Sequence, residues 1–310
     1  MAAFDRILSG IPGLDRALDN IRLGDNVVLR VSAVDDFRFY VEPYVRQAIA
    51  DKRNLIYIRF ASHPELVPEQ AGVKRYTLEP ADGFEPFTIA VHRIVEQEGR
   101  DAFYVFDCLS ELQVVWAADL MMGNFFRVTC PYLFQLDTVA FFPIIRGLHS
   151  FDTIARIRDT TQLMLDIYHD GDTQYMQPLK VWNRFSSTMF LPHRVEKDGE
   201  MTPLTDGVGI GKFYALLDAE EAFRNLSSSA DWRTAYRETG TKLLDLVLRG
   251  KWTTGSVGGE WMMLGLARSE RLYGGDVEEY VKALESFVKG NINTNGQIKL
   301  NGEVCTLRGK

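Results

Sequence analysis

Two rhythms of apolar positions alternate over the first 160 residues. Residues 27–31, 54–60, 102–108 and 139–145 are short runs rich in β-branched and aromatic side chains, the mark of strands buried on both faces. Residues 73–78 make a weaker run of the same kind. Between these runs the spacing turns helical. Phe37, Tyr40, Val41, Tyr44, Val45, Ala48 and Ile49 share one face of a helix expected over residues 37–51, with Pro43 kinking its first turns. Helices are also expected over 84–98, over 114–136 with an interruption near Pro131, and over 151–158. Residues 9–23 open with turn formers and pass into a short helix.

Beyond residue 160 three strand-like runs follow one another, at 162–168, 176–182 and 188–195, with Asp170-Gly171-Asp172 and Lys197-Asp198-Gly199 as hairpin turns. Alternating strands and helices followed by consecutive strands predict an α/β fold: an open, mostly parallel sheet flanked by helices and ending in antiparallel edge strands. This body is expected to occupy residues 1–207. A helix over 209–225 and the run Ser227-Ser228-Ser229 make a connector, 208–231. Residues 232–310 read as a helical appendage with helices at 232–249, 256–271 and 276–291, then a polar end from Gly290 expected to fray.

Composition narrows the function classes. With 46% hydrophobic and 25% charged residues over 310 positions, the chain has the make-up of a soluble globular protein. A net charge of −7 argues against a broad nucleic-acid-binding surface. No run approaches the ~20 apolar residues of a membrane helix, and the opening MAAFDRILSGIPGLD is unlike a signal peptide, so the expected location is the cytoplasm. Cys108, Cys130 and Cys305 are too scattered for a disulfide framework or a metal site. The histidines, His63, His92, His149, His169 and His193, lack the pairings of a zinc site.

The turn after the first strand carries the main chemical question. Residues 24–40 read GDNVVLRVSAVDDFRFY, a strand, a turn and a helix start, which is the setting of a phosphate-binding loop. Yet no glycine lies between Asp25 and Ala71, and the turn has no lysine. Asp35 and Asp36 stand where phosphates would rest, and a carboxylate at a helix start competes with a phosphate for the same N–H groups.

Two motifs carry a resemblance. Ser9-Gly10-Ile11-Pro12-Gly13-Leu14-Asp15 resembles the signature that opens KaiC-like ATPases of the RecA superfamily, and Asp107-Cys108-Leu109-Ser110-Glu111-Leu112 resembles that family's Walker B strand end. The resemblance spans about residues 4–207 and implies a RecA-like sheet, a nucleotide site and self-association. The chain departs from the family at the phosphate loop and at the paired glutamates after the second strand, where Ala61 and Ser62 stand. Of the Walker set only Asp107 remains, and hydrolysis needs the phosphate cradle, metal and oriented water together. The body, with Gln177–Trp182 and Met189–Arg194 among its segments, is also similar to modules N-terminal to phosphoenolpyruvate synthase and pyruvate phosphate dikinase-like domains. Residues 232–236, 255–261 and 264–269 resemble the first helices of terpenoid-cyclase-like α/α-toroid domains, although three helices cannot close a toroid.

These readings converge on a RecA/KaiC-like interaction or regulatory module that has lost ATP hydrolysis. It is expected to need no cofactor and to work through a protein partner or self-association. The degenerate nucleotide site would lie around Ser32, Asp35, Asp36, Arg38, Arg59 and Asp107. The alternative is an enzyme, or a phosphotransferase-associated module with weak Mg-ATP binding, using a rebuilt site at the strand ends with Asp107, His63 and His149 as candidate catalytic residues. Each has a plainer reading. Asp107 can cap a neighbouring turn, and His149-Ser150 with Asp152 can be a capped helix start rather than a Ser–His–Asp group. Cys108 can be packing, Asp170-Gly171-Asp172 a turn rather than a calcium loop, and the Met- and aromatic-rich run 116–142 either core or an interface.

Overall fold

A computed structural model describes residues 5–116, 118–170, 173–228, 297–300 and 303–306. The chain divides into two compact units, Met1–His169 with Thr173–Pro203, and Asp170–Asp172 with Leu204–Lys310.

The first unit begins with β1 (Arg6–Ile7), α1 (Pro12–Leu18) and β2 (Ile21–Arg22), the two short strands pairing antiparallel. There follow β3 (Asn26–Val31), α2 (Val34–Ala50), β4 (Leu55–Arg59), β5 (Val73–Thr77), α3 (Phe84–Glu98) and β6 (Phe103–Phe106). The chain continues through α4 (Glu111–Trp116), α5 (Asp119–Gln135), β7 (Val139–Ile145), α6 (Phe151–Thr160) and β8 (Leu163–Asp170). β9 (Thr173–Val181), β10 (His193–Val195) and β11 (Met201–Pro203) close the unit.

Nine strands form one sheet in the order β11-β10-β9-β8-β3-β7-β6-β4-β5. The block from β8 to β5 is parallel, whereas β10 pairs antiparallel with both β9 and β11. The expected α/β class, mostly parallel sheet and antiparallel edge are therefore present.

Alternating strand residues feed two cores. Val27, Leu29, Val31, Tyr57, Val105, Phe141 and Leu165 meet Leu14 and Leu18 of α1 and Phe37, Tyr40, Val41 and Tyr44 of α2. Val28, Ile56, Tyr104, Phe142 and Met164 meet Phe87 and Val91 of α3, Phe125, Phe126 and Leu133 of α5, and Ile157 of α6. Helices thus cover both faces, and the C-terminal ends of the parallel strands remain as the natural place for chemistry.

The opening signature is a packing device. Pro12 starts α1, where its missing N–H costs nothing. The Asp15 carboxylate accepts the Ser9 N–H at 3.0 Å, and Ser9 Oγ accepts the Ile11 N–H at 3.0 Å. At Gly13 an added Cβ would stand 2.4 Å from the Gly199 carbonyl, so α1 lies directly against the β10–β11 hairpin. That hairpin turns at Gly199, whose φ of +85° suits glycine.

Several boundaries differ from the sequence expectation. α2 begins at Val34 and is helical through Pro43. The expected interruption near Pro131 is absent: α5 is helical through it, and the break falls before Asp119. A proline inside a helix costs ~3 kcal/mol, and the burial of Phe125, Phe126, Cys130 and Leu133 on either side of it outweighs that. The strand expected over 188–195 shortens to β10, because Met189 N–H to Ser186 O and Leu191 N–H to Thr188 O bonds curl the chain ahead of Pro192. β1, β2 and β11 were not expected.

In the second unit α7 (Gly207–Ser228) takes in Ser227 and Ser228 of the expected linker. β12 (Gln297–Leu300) and β13 (Glu303–Thr306) pair antiparallel in the end expected to fray. The helices expected over 232–249, 256–271 and 276–291 lie outside the described residues, as do Gly171 and Asp172 of the expected turn.

Candidate functional site

The residues singled out from the sequence gather at the C-terminal ends of the parallel strands, in three groups rather than one.

The first lies at the start of α2. Asp36 makes the return half of a capping box, its Oδ2 accepting the Ala33 N–H at 3.0 Å, while Ala33 has no side-chain acceptor to supply the other half. Its Oδ1 lies 3.1 Å from His169 Nε2 at the end of β8. Burial pushes this carboxyl up, and the bonds from His169 and the Ala33 N–H outweigh it, holding Asp36 below the ordinary carboxylate range. Asp35 is exposed and pairs with Arg38 at 3.1 Å, and Arg38 also donates to the Glu65 carbonyl at 2.8 Å. Ser32 Oγ accepts from Arg146 at 2.7 Å, and the Arg146 guanidinium lies 3.9 Å over the Tyr168 ring. Behind it Arg30 pairs with the buried Asp166 at 3.0 Å. The helix start therefore holds an anion supplied by the chain itself.

The second group is centred on Asp107, one residue past β6 and fully buried. Oδ2 accepts from Arg59 Nη1 at 2.8 Å and from the backbone N–H groups of Phe60 and Ala61 at 2.9 Å each. Oδ1 accepts from the Tyr57 hydroxyl, which in turn accepts the Leu66 N–H at 3.1 Å. Burial, then Asp107, hold the Tyr57 hydroxyl well above its ordinary range. His63 Nε2 lies 3.9 Å from Oδ1 and accepts the Cys108 N–H at 3.1 Å, while Nδ1 faces the Pro64 carbonyl at 2.8 Å. That pattern fits a neutral ring with its proton on Nδ1. The carboxylate thus ties the end of β6 to the end of β4 through a set of directed bonds. Ala61 contributes its N–H to this set, and the Ser62 hydroxyl bonds Glu111 at 3.0 Å.

The third group is one that sequence reasoning assembled differently. His149 meets neither the Ser150 hydroxyl nor Asp152 in the described contacts; instead its Nε2 lies 2.7 Å from Ser110 Oγ and its Nδ1 lies 2.6 Å from Asp119 Oδ1. Ser110 comes from the turn after β6, Asp119 from the first residue of α5, and His149 from the loop after β7. Ser150 caps α6, its Oγ accepting the Thr153 N–H at 3.3 Å, and its own N–H goes to Asp119 Oδ2 at 2.8 Å. Burial works to raise the Asp119 carboxyl, but bonds from Ser150, His149 and Thr153 prevail and hold it at about 2. Ser110 also accepts the Ile145 N–H at 2.8 Å. Separations of 39 and 30 residues from His149 leave no local signal for this grouping.

The remaining candidates are structural or lie elsewhere. Cys108 is buried, and burial pushes its thiol up to about 11, the environment of an inert packing residue. His92 and His193 are lowered by burial. Among the described residues no three His, Cys, Asp or Glu side chains gather to hold a metal ion. A shallow cleft of ≈520 Å³ lies between α1 and the segment 185–187, lined by Asp15, Arg16, Asp19, Asn20, Phe185, Ser186 and Ser187, none of them in the strand-end groups. Just before that segment Arg184 is buried against Asp25 at 2.6 Å and donates to the Asn20 carbonyl at 2.6 Å. Among the described residues no helix is long and apolar enough to cross a membrane. Compared with known proteins, the chain matches no family model and no curated protein at a significant level.

Proposed function

We propose that this chain is a RecA/KaiC-like interaction or regulatory module that does not hydrolyse ATP. The observation that carries the reading is the engagement of Asp107. At the position where the resemblance puts a metal-coordinating carboxylate, both oxygens already accept hydrogen bonds from Tyr57, Arg59, Phe60 and Ala61. A magnesium ion would have to displace a guanidinium and two backbone donors from a side chain with no exposed surface. The head of α2 agrees, since Asp36 supplies the negative charge that a phosphate would bring. The sheet is compatible with the resemblance too: β3 lies between β7 and β8, and β6 lies one strand further out beyond β7.

An interaction role draws on residues 182–190. Trp182, Phe185 and Phe190 are 41%, 77% and 55% exposed within this short stretch, which Arg184 anchors through its buried pair with Asp25. Exposed aromatics on an anchored loop are the composition of a contact surface.

Calorimetry of the full chain with Mg-ATP and with ADP tests the loss of nucleotide chemistry. The expected result is no heat and no thermal shift at millimolar nucleotide. Micromolar, saturable binding, or ATP hydrolysis that disappears in Asp107→Asn, would overturn it. Light scattering then separates a self-associating chain from one that awaits another protein.

A further inference from the structure

We propose that Ser110, His149 and Asp119 form an acyl-transfer site, with the Ser110 hydroxyl as nucleophile toward carboxylic esters bearing apolar acyl groups. This goes beyond the nucleotide reading and does not depend on it, since none of the three side chains belongs to the Asp36 or Asp107 groups.

The geometry has each part in its working orientation. Ser110 Oγ lies 2.7 Å from His149 Nε2, hydrogen-bond reach for a base that is to take its proton. His149 Nδ1 lies 2.6 Å from Asp119 Oδ1, which fixes the tautomer with Nε2 free to accept. Asp119 is fixed in turn by the Ser150 N–H at 2.8 Å. Asp119 is a positioning residue, whereas Ser110 and His149 would touch the reacting atoms. Ser110 Oγ also accepts the Ile145 N–H at 2.8 Å, which fixes the hydroxyl with its own proton left for His149.

In the step itself, Oγ bonds to the acyl carbon as its proton passes to Nε2. Collapse of the tetrahedral adduct breaks the ester C–O bond, and the imidazolium returns the proton to the departing alcohol. Water then repeats the sequence on the acyl-serine, releasing the carboxylic acid and restoring the hydroxyl. The acyl class rests on the segments that carry the group: Leu120, next to Asp119 in the chain, and Leu148 and Phe151, within two residues of His149, are 48%, 54% and 83% exposed.

Two features make the reaction slow. Ser110 is 3% exposed, so an acyl group reaches it only as neighbouring side chains shift. The Ile145 N–H is also taken up by Oγ rather than left for the substrate's carbonyl oxygen, and lack of one oxyanion donor costs roughly 10²–10³-fold in rate. Covalent capture is therefore a better readout than turnover.

The test is an alkyl fluorophosphonate applied to the full chain, with intact-mass analysis and peptide mapping. The expected result is a single adduct on Ser110 in the folded protein, lost after unfolding in urea, and formed faster with an octyl than with an ethyl chain. The rate should be higher at about pH 8 than at about pH 5, as general-base catalysis by an imidazole requires. His149→Ala should slow labelling on the order of 10²-fold or more with an unchanged circular dichroism spectrum. Asp119→Asn should slow it as well, and Asp119→Glu, which keeps a carboxylate for Nδ1, should recover part of the rate. Absence of a Ser110 adduct after a day, or undiminished labelling in His149→Ala, overturns the site. Should that variant not fold, a wild-type rate that is flat from about pH 5 to 8 does the same. Equal rates with both chain lengths overturn the apolar acyl class.

Discussion

Replacing Asp107 by alanine removes the acceptor for Tyr57, for Arg59 and for the N–H groups of Phe60 and Ala61 together. Each buried donor left without a partner costs about 1–3 kcal/mol. The four costs do not add, because Arg59 is 18% exposed and water can enter the space vacated. Breaking a buried ion pair from one side costs about 3–5 kcal/mol by a separate route. Both lines meet near ~4 kcal/mol, which for a unit of this size lowers the melting temperature by ~12 °C. Asp107→Asn is milder, at about 1–2 kcal/mol. Its remaining carbonyl oxygen can keep the Arg59, Phe60 and Ala61 bonds, while its amide turns toward a Tyr57 oxygen that already accepts from Leu66. Urea unfolding of the full chain, followed by circular dichroism, reads both variants, and added Mg²⁺ should leave the wild-type midpoint unmoved. A loss below 1 kcal/mol in Asp107→Ala would refute the argument that this carboxylate holds β4 to β6, and a Mg²⁺-dependent gain in the wild type would return it to metal binding.

Three further outcomes follow from the same physics. Gly13→Ala would place Cβ 2.4 Å from the Gly199 carbonyl and 2.5 Å from the Met201 nitrogen, so it should cost about 1–3 kcal/mol in unfolding free energy. Gly211→Ala, where nothing stands within 4 Å of the added atom, serves as its control. The Asp119 carboxyl is lowered on folding from 3.8 to about 2, so its stabilisation is complete above pH 4 and is lost as pH falls through that window. Acid titration of stability should therefore lose about 2 kcal/mol less between pH 4 and 2 in Asp119→Asn than in the wild type. Arg184→Ala strips Asp25 of its buried partner and frees the segment that follows it, so it should cost about 3–5 kcal/mol and speed proteolysis after Phe185.

The fold was legible wherever burial on both faces forced an unbroken apolar run. The strands at 27–31 and 139–145 could be read from side-chain type alone, because their environment leaves polar residues almost no place, and the helix at 84–98 from the spacing of Phe87, Val91, Ile94 and Val95 on one face. Short pieces escaped for the opposite reason. β1 and β2 are two residues each, too few for a period, and β11 exists because a hairpin folds back on α1, a tertiary fact. Pro131 misled because local propensity is weak beside the burial of Phe125, Phe126 and Leu133. The strand-end groups were legible in part. Asp36 at a helix start could be placed from its neighbours, and His63 near Asp107 from the chain leaving β4. Ser110 and Asp119 could not be joined to His149, since their meeting depends on how α5 docks beside β7. Their only sequence signal was Ser110 itself, in the segment just past a buried strand.

On the function proposed above, the Asp36 carboxylate also bears on whether nucleotide binding could be regained. Suppose a single substitution removed it to make room for a phosphate. The start of α2 would lose its cap, at about 1 kcal/mol, and His169 would lose the charge it faces at 3.1 Å. Meanwhile Asp107 would still be held by Tyr57 and Arg59 and unable to meet a metal. Every first step back thus lowers stability and restores no activity on which selection could act. On that proposal the self-supplied anion works as a ratchet, turning a lineage toward other uses for its strand ends and away from nucleotide.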